Sequence, residues 1–510
     1  MKIRRILSVI LTVSIIATSF SSIVQASAQT EEEASNQAAQ VAVVEDESVQ
    51  TAAIPAEPTE EFIISSKCDF TLFMTTSEFW ESNYKVTLAC NIDMGEKVFN
   101  PIKEFDGVFD GCGHTISNLK IQNYLGKGKN VELSFINTLN ENAEIKDVKF
   151  DNYTIEGNSN IKKAAGLVVS NKGKISGVDI KSGSINNIND KTEIAGFVVA
   201  NSGKITNSNT AMTLDKGSIV GGFVSENGAF GIIKECGAKE KISGRICAGG
   251  FCGINIGEII SCKAESNVKA HTSSKKEATI SGGFIGTNNG MIKNCSATGE
   301  VEGQEFSGGF AGINGEKGKI SLCKSIGCVK SKTYFSFINC GGFIGLNAGK
   351  IENCELKSKV ENIEFLCSDA AKNTFLFGGL AFYCISILVY LLVINMAFEN
   401  KEIDIFGVGF IGCFMIIVSI GIAQAIISIE VPKAIYSGND AYLGGFCGYN
   451  SGEISKCSFV DVSISNTNCS RDSILGGFVG ENGKDGIIKD CNITGNKISD
   501  DDDCYIKSSG

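Results

Sequence analysis

The chain is poor in the side chains that do acid–base and metal chemistry. Its 510 residues include two histidines (His114 and His271), one tryptophan and four prolines. After the first five residues, arginine occurs only at Arg245 and Arg471. Two histidines do not supply a metal cluster unaided, and the absence of an HExxH pair removes the zinc-protease arrangement. The GxSxG nucleophile elbow and the Gly-rich phosphate loop followed by Lys-Ser/Thr are missing too. With a net charge of −11, the composition offers little material for the basic face that a nucleic-acid binder needs. No catalytic, cofactor-binding or metal-binding residue is assigned. Glycine is abundant, at 58 residues, but it has no three-residue period, which excludes collagen.

The first residues read as an export leader. Lys2, Arg4 and Arg5 precede an apolar run from Ile6 to Ala17, and Ala26-Ser27-Ala28 gives the small-residue cleavage pattern. Residues 1–28 are the expected signal peptide. Residues 29–60 are acidic, low in complexity and lack aromatics, as in a disordered spacer. Residues 61–122 read as a cap with the first turns of a repeat stack. Within them, "TTSEFWESN" predicts one short helix capped by Thr75 or Thr76, with Phe79 and Trp80 on its apolar side.

Repeats then fill residues 123–368 and resume in 433–510. Their anchors are Leu167, Phe197, Phe223, Phe251, Phe284, Phe310, Phe343, Phe446 and Phe478, and Phe135 marks a degenerate first copy. Most intervals are 26 to 33 residues, the range of a solenoid. Asparagine follows every anchor by four residues, from Asn171 to Asn482. Eleven residues after the anchor comes Val178, Ser208, Cys262, Cys295, Cys354 or Cys457. Three copies reach Cys236, Cys323 and Cys491 two residues later, through the longer turns "NGAFGII", "NGEKGKI" and "NGKDGII". Length varies where a turn must be and register recovers afterwards, as loops allow and strands do not. Each copy reads as three short strands: "GGFIG" with Phe inward, "KIENC" and "KSKV". The glycine of "LNAG" is expected to supply a positive φ. Such strands are too short to stand alone and must pair from copy to copy. The expected fold is all-β: a right-handed parallel β-helix of about ten coils with a capping N-terminal module, built from files of Phe, Asn and Cys.

The pattern "GGFxGxNxGxIxxCxxxGxV" resembles the GLUG-motif repeat of bacterial surface proteins, and Phe105 to Ile121 resembles the "FxGxFDGxGHTI" element that often precedes it. The resemblance spans about residues 90–360 and 440–498. It implies a β-helix in an adhesin-like surface protein and transfers no catalytic residue. Here Phe replaces the usual Leu, and Cys a small polar residue.

Between Phe343 and Phe446 lie two uncharged apolar stretches, 374–396 and 405–429, each long enough to span a bilayer. Residues 369–432 are the expected transmembrane α-helical hairpin, and lipid is the partner they imply. Because a hairpin returns to its starting side, both repeat blocks face outward. The later coils then either stack on the earlier ones or form a separate stub.

Twenty cysteines in an exported chain first suggest disulfides. The file position, shared with Val and Ser, instead favours free buried thiols. Cys68, Cys90 and Cys112 lie outside the file, and a disulfide among them is left open. Cys323 and Cys328 lack the spacing and partners of a zinc site. His114 and "GKGKN" (126–130) read as turns, and the aspartates at 500–503 as a solvated acidic loop. The function expected is an exported, membrane-anchored surface protein serving as adhesin-like binder or stalk, and not an enzyme. Its partners are an extracellular glycan or a protein of a host or neighbouring cell. Two alternatives are a glycan-active β-helix enzyme of lyase or hydrolase type and a passive spacer of a longer surface protein.

Overall fold

A computed structural model describes residues 58–122, 131–272, 278–331, 338–357, 363–366, 441–460, 463–467, 473–494 and 497–500. The expected leader, residues 29–57 of the spacer, the 126–130 loop, both apolar stretches and Asp501–Asp503 lie outside them. Of the described residues, those from 58 to 271 and from 279 to 500 cluster as one compact unit.

One coil shows how sequence becomes architecture. Its strands are Ile338–Gly341, Ile344–Asn347, Lys350–Glu352, Glu355–Lys357 and Ile363–Leu366. The first three belong to separate sheets, here I, II and III, of ten, eleven and thirteen strands, and the last two to the twenty-stranded sheet IV. Each strand pairs in parallel with its counterpart in the previous coil, so like residues meet: Gly308 with Gly341, Asn314 with Asn347, Ile320 with Ile351. Backbone donors and acceptors are thereby satisfied from coil to coil at about 4.8 Å per step. Ile351, Cys354 and Leu356 point to a continuous interior and are buried. The result is an all-β parallel solenoid of about nine turns, against the ten or so expected.

The coil has four sides where three strands were expected. "GGFIG" does not run straight. It breaks at Gly342-Phe343, and the phenylalanine sits at the bend, fully buried. The outer surfaces of sheets I and II close on each other across that bend. A Cβ on Gly308 or Gly341 would meet the carbonyl oxygen three residues on, at 1.9 and 2.1 Å. A Cβ on Gly345 would meet Gly312 O at 2.7 Å. Glycine is thus required there by backbone contact. In the early coils Ala165, Val169, Ala195 and Val199 occupy these positions and form a small second core.

The turn glycines also differ from expectation. Gly257 and Gly349 have ordinary φ, and a Cβ on either would strike carbonyls of the previous coil at 2.3 Å. Positive φ falls instead on the residue before the cysteine file: Asn207, Glu235, Ser261, Asn294, Leu322, Asn353, Lys456 and Asp490, at φ 49 to 58. This residue turns the chain from sheet III into sheet IV. Asparagine and aspartate tolerate that region best, and they hold four of the eight places.

The N-terminal module covers the first open coil, with its helix in another place than expected. Lys67–Thr75 forms the α-helix, capped by Ser66, whose Oγ accepts from the Asp69 amide at 3.3 Å. Phe70, Phe73 and Met74 sit at helical spacing on its buried side. Phe70 and Phe73 pack on Phe99, Phe105, Phe109 and Phe135. The predicted helix in "TTSEFWESN" is only a 3-10 turn, Ser77–Trp80, preceded by Thr76 without a side-chain cap. A strand already starts at Glu60, inside the expected spacer.

The interruption does not end the solenoid. Ile338–Gly341 pairs with Ala441–Gly444, Ile344–Asn347 with Cys447–Asn450 and Lys350–Glu352 with Glu453–Ser455. Phe343 stacks on Phe446 at 4.7 Å. The chain leaves after Leu366 in sheet IV and returns at Ala441 in sheet I. Other coils turn this same corner in a few residues, as Gly244 to Cys247 does. The later coils therefore stack on the earlier ones. Among the described residues no helix is long and apolar enough to cross a membrane.

Candidate binding surface

The three files foreseen from the sequence are present, and each has a definite chemistry. Eight phenylalanines, from Phe197 to Phe478, stack with centroids 4.5–5.0 Å apart and planes within 15°. Asn171 through Asn482 form an amide ladder, each Nδ2 donating to the next Oδ1 at 2.7–2.9 Å. The second proton of each amide from Asn201 to Asn347 goes to a glycine carbonyl of its own turn, at 3.1–3.3 Å. Leu139 lies below Asn171, and the Asn171 Oδ1 has no partner among the described residues.

The cysteine file does more than fill space. Each Sγ donates to the carbonyl two residues back, as Cys323 does to Ser321 at 3.1 Å and Cys457 to Ser455 at 3.2 Å. The Cys262 and Cys295 amides donate to the sulfur of the following coil, at 3.4 and 3.5 Å. Ser208 makes the same two bonds, donating to Thr206 O at 2.8 Å and accepting from Val178 N at 3.2 Å. Where cysteine or serine holds the position, the short side chain both donates and accepts, a role the spacing alone does not show, while Val178 in the first copy only fills space.

The cysteines of the file carry free thiols and are buried except Cys491, which is half-buried. Burial pushes the Cys262 and Cys323 thiols well up. The adjacent Cys354 sulfur, together with burial, raises Cys457 to about 12, and burial alone raises Cys247 to about 12. A raised folded pKa stabilises the fold below the unfolded thiol value, 9.0, and that stabilisation is lost as pH rises. Stability is therefore expected to hold from pH 6 to 8 and to fall between about pH 9 and 12 in urea titrations. Replacing Cys262, Cys323 and Cys457 with serine should flatten that fall, and an unchanged alkaline limb would refute the assignment.

The other residues singled out by sequence hold structure. The His114 amide donates to Gly111 O at 2.8 Å, and its carbonyl accepts from Lys149 N at 3.0 Å, which fixes a turn. Cys323 and Cys328 are both buried. Among the described residues no group of three or more His, Cys, Asp or Glu is placed to hold a metal.

One surface feature was not foreseen. The longer turns at Phe230 and Lys317 stand out from the corner between sheets II and III. Between them, two coils turn tightly through Gly257 and Gly290. The two ridges are three coils apart, about 14 Å at the strand spacing. They bound a cleft of about 500 Å³ whose lining includes Phe230, Ile232, Ile256, Glu258, Met291, Lys317 and Lys319. Phe230 is 82% exposed, Ile256 46% and Met291 38%. The sequence signal was an aromatic residue at the tip of an elongated turn. What it could not give was that its neighbours in space come from coils 26 and more residues away.

No curated protein matches the chain. The stretch from Glu277 to Glu302, the coil whose Gly290 and Met291 line the cleft, matches the family model for the GLUG motif, so this chain carries a GLUG coil within a parallel β-solenoid.

Proposed function

We propose that this is an exported β-solenoid held at a cell membrane by residues 369–432, presenting its side faces for adhesin-like contact and having no catalytic role. The observation that carries the reading is the unbroken stack across the interruption. Leu366 and Ala441 occupy a corner that another coil crosses with two residues between strands, so they lie within about 10 Å of each other. Two packed helices stand 8–10 Å apart, so a hairpin of the 374–396 and 405–429 segments joins this corner without disturbing the coils. The leader at 1–28 supplies export, and both repeat blocks then share the outer side. Eight strand steps in sheet II separate the tether coil from Ile102–Phe105, which sets the N-terminal cap about 40 Å along the axis.

Deleting 367–440 and joining the ends with a short Gly-Ser loop tests the anchor. The deleted protein is expected in the soluble fraction with its strand circular dichroism intact, while the full chain stays with membranes after a carbonate wash. Release of the full chain by carbonate, or retention of the deleted one, would sink the proposal. Protease shaving of intact cells should digest both repeat blocks, and protection of either refutes the orientation.

A further inference from the structure

We propose that the cleft between the Phe230 and Lys317 turns binds a short acidic oligosaccharide, deepening the surface-contact reading above, on which it rests. Soluble surfaces seldom gather large apolar side chains without use, and here Phe230, Ile256 and Met291 converge on one cleft. Its volume, about 500 Å³, lies within the roughly 300–1,000 Å³ range of small-molecule sites. Phe230 offers an open ring face, whose negative quadrupole attracts the slightly positive C–H face of a pyranose.

The opposite wall carries Lys317 and Lys319, both exposed and neither in an ion pair with a described residue. Glu258, the one acid in the lining, is held by Lys234 at 3.8 Å, and Glu316, beside Lys317 in the chain, is not part of the lining. The cleft is therefore apolar on one side and cationic on the other. That suits a ligand with a C–H face and carboxylates, as uronic acid sugars have. An extended peptide finds no free edge here, because Ile232–Lys234, Glu258–Ile260, Met291–Lys293 and Lys319–Ser321 are consecutive strands inside sheet III. A bilayer surface would rest on the two ridges and miss the floor.

Isothermal titration of the full chain in detergent, with trisaccharides of mannuronate, galacturonate and glucuronate, tests the assignment. Binding of at least one is expected, with no heat from its neutral counterpart. Phe230→Ala should weaken it at least tenfold, and so should Lys317→Ala with Lys319→Ala, which should also reduce the salt dependence. Neither variant should move the melting temperature, since all three side chains are exposed. Silence with every uronate, or unchanged affinity in both variants, overturns the proposal. So does a triglutamate peptide binding as tightly as the best sugar, which would make the cleft an acidic-peptide site. Membrane attachment is read by fractionation, so a failure of the cleft and a failure of the anchor are told apart.

Discussion

Phe284→Ala is expected to destabilise the solenoid by about 3–5 kcal/mol, the range for removing a fully buried phenylalanine from a core that cannot collapse. Its ring lies 4.9 Å from Phe251 and 5.0 Å from Phe310, both nearly parallel to it. Those neighbours are held at strand spacing by their own coils, so neither moves in to fill the gap. Each ring pair adds about 0.5–1.5 kcal/mol beyond area burial, and the substitution removes two pairs. In a solenoid the loss is local. Hydrogen exchange should quicken first in the coils of Phe251, Phe284 and Phe310, and the urea midpoint should drop. A cost under about 1 kcal/mol would show that the file is not a rigid stack.

Gly308→Ala is the second substitution with a large expected effect. Its Cβ would stand 1.9 Å from Ala311 O and 2.8 Å from Ile344 Cα, both backbone atoms. No rotamer relieves such a contact, so sheets I and II must part locally, at the upper end of the 1–3 kcal/mol overpacking range or beyond. The equivalent residue in the second coil of the anchored series is Ala195, which clusters with Val199 in a bend that already admits it. Ala195→Gly is accordingly expected to cost no more than about 1 kcal/mol. Urea midpoints of the two variants make the comparison. Equal effects would mean that the glycines at the bend are not selected by contact between the sheets.

The files were legible because a solenoid converts sequence period into spatial stacking. Phe343, Asn347 and Cys354 recur in copy after copy, and each meets its own kind in the next coil. The helix of the cap was misplaced because two adjoining segments, Lys67–Thr75 and Ser77–Trp80, both have helical character, and only the open end of the core selects which one it buries. The glycines were noticed, but the physical reason assigned to one class of them was wrong. Positive φ belongs to the residue before the cysteine, and the "NxG" glycine is demanded by a carbonyl in a coil about 30 residues away. The role of sulfur as donor and acceptor was equally hidden, because the amide it accepts from belongs to the preceding coil.

The sequence by itself determined the class of fold, the inward files and the places where length varies, because all three follow from periodicity and side-chain character. The tertiary structure decided the four-sided coil, the seamless passage from Phe343 to Phe446 and the cleft between two raised turns. The physical reason is range. Periodicity states what each coil contains, whereas the approach of two backbones, the return of a chain to its own corner and the facing of Phe230 and Lys317 across one cleft depend on distances between coils.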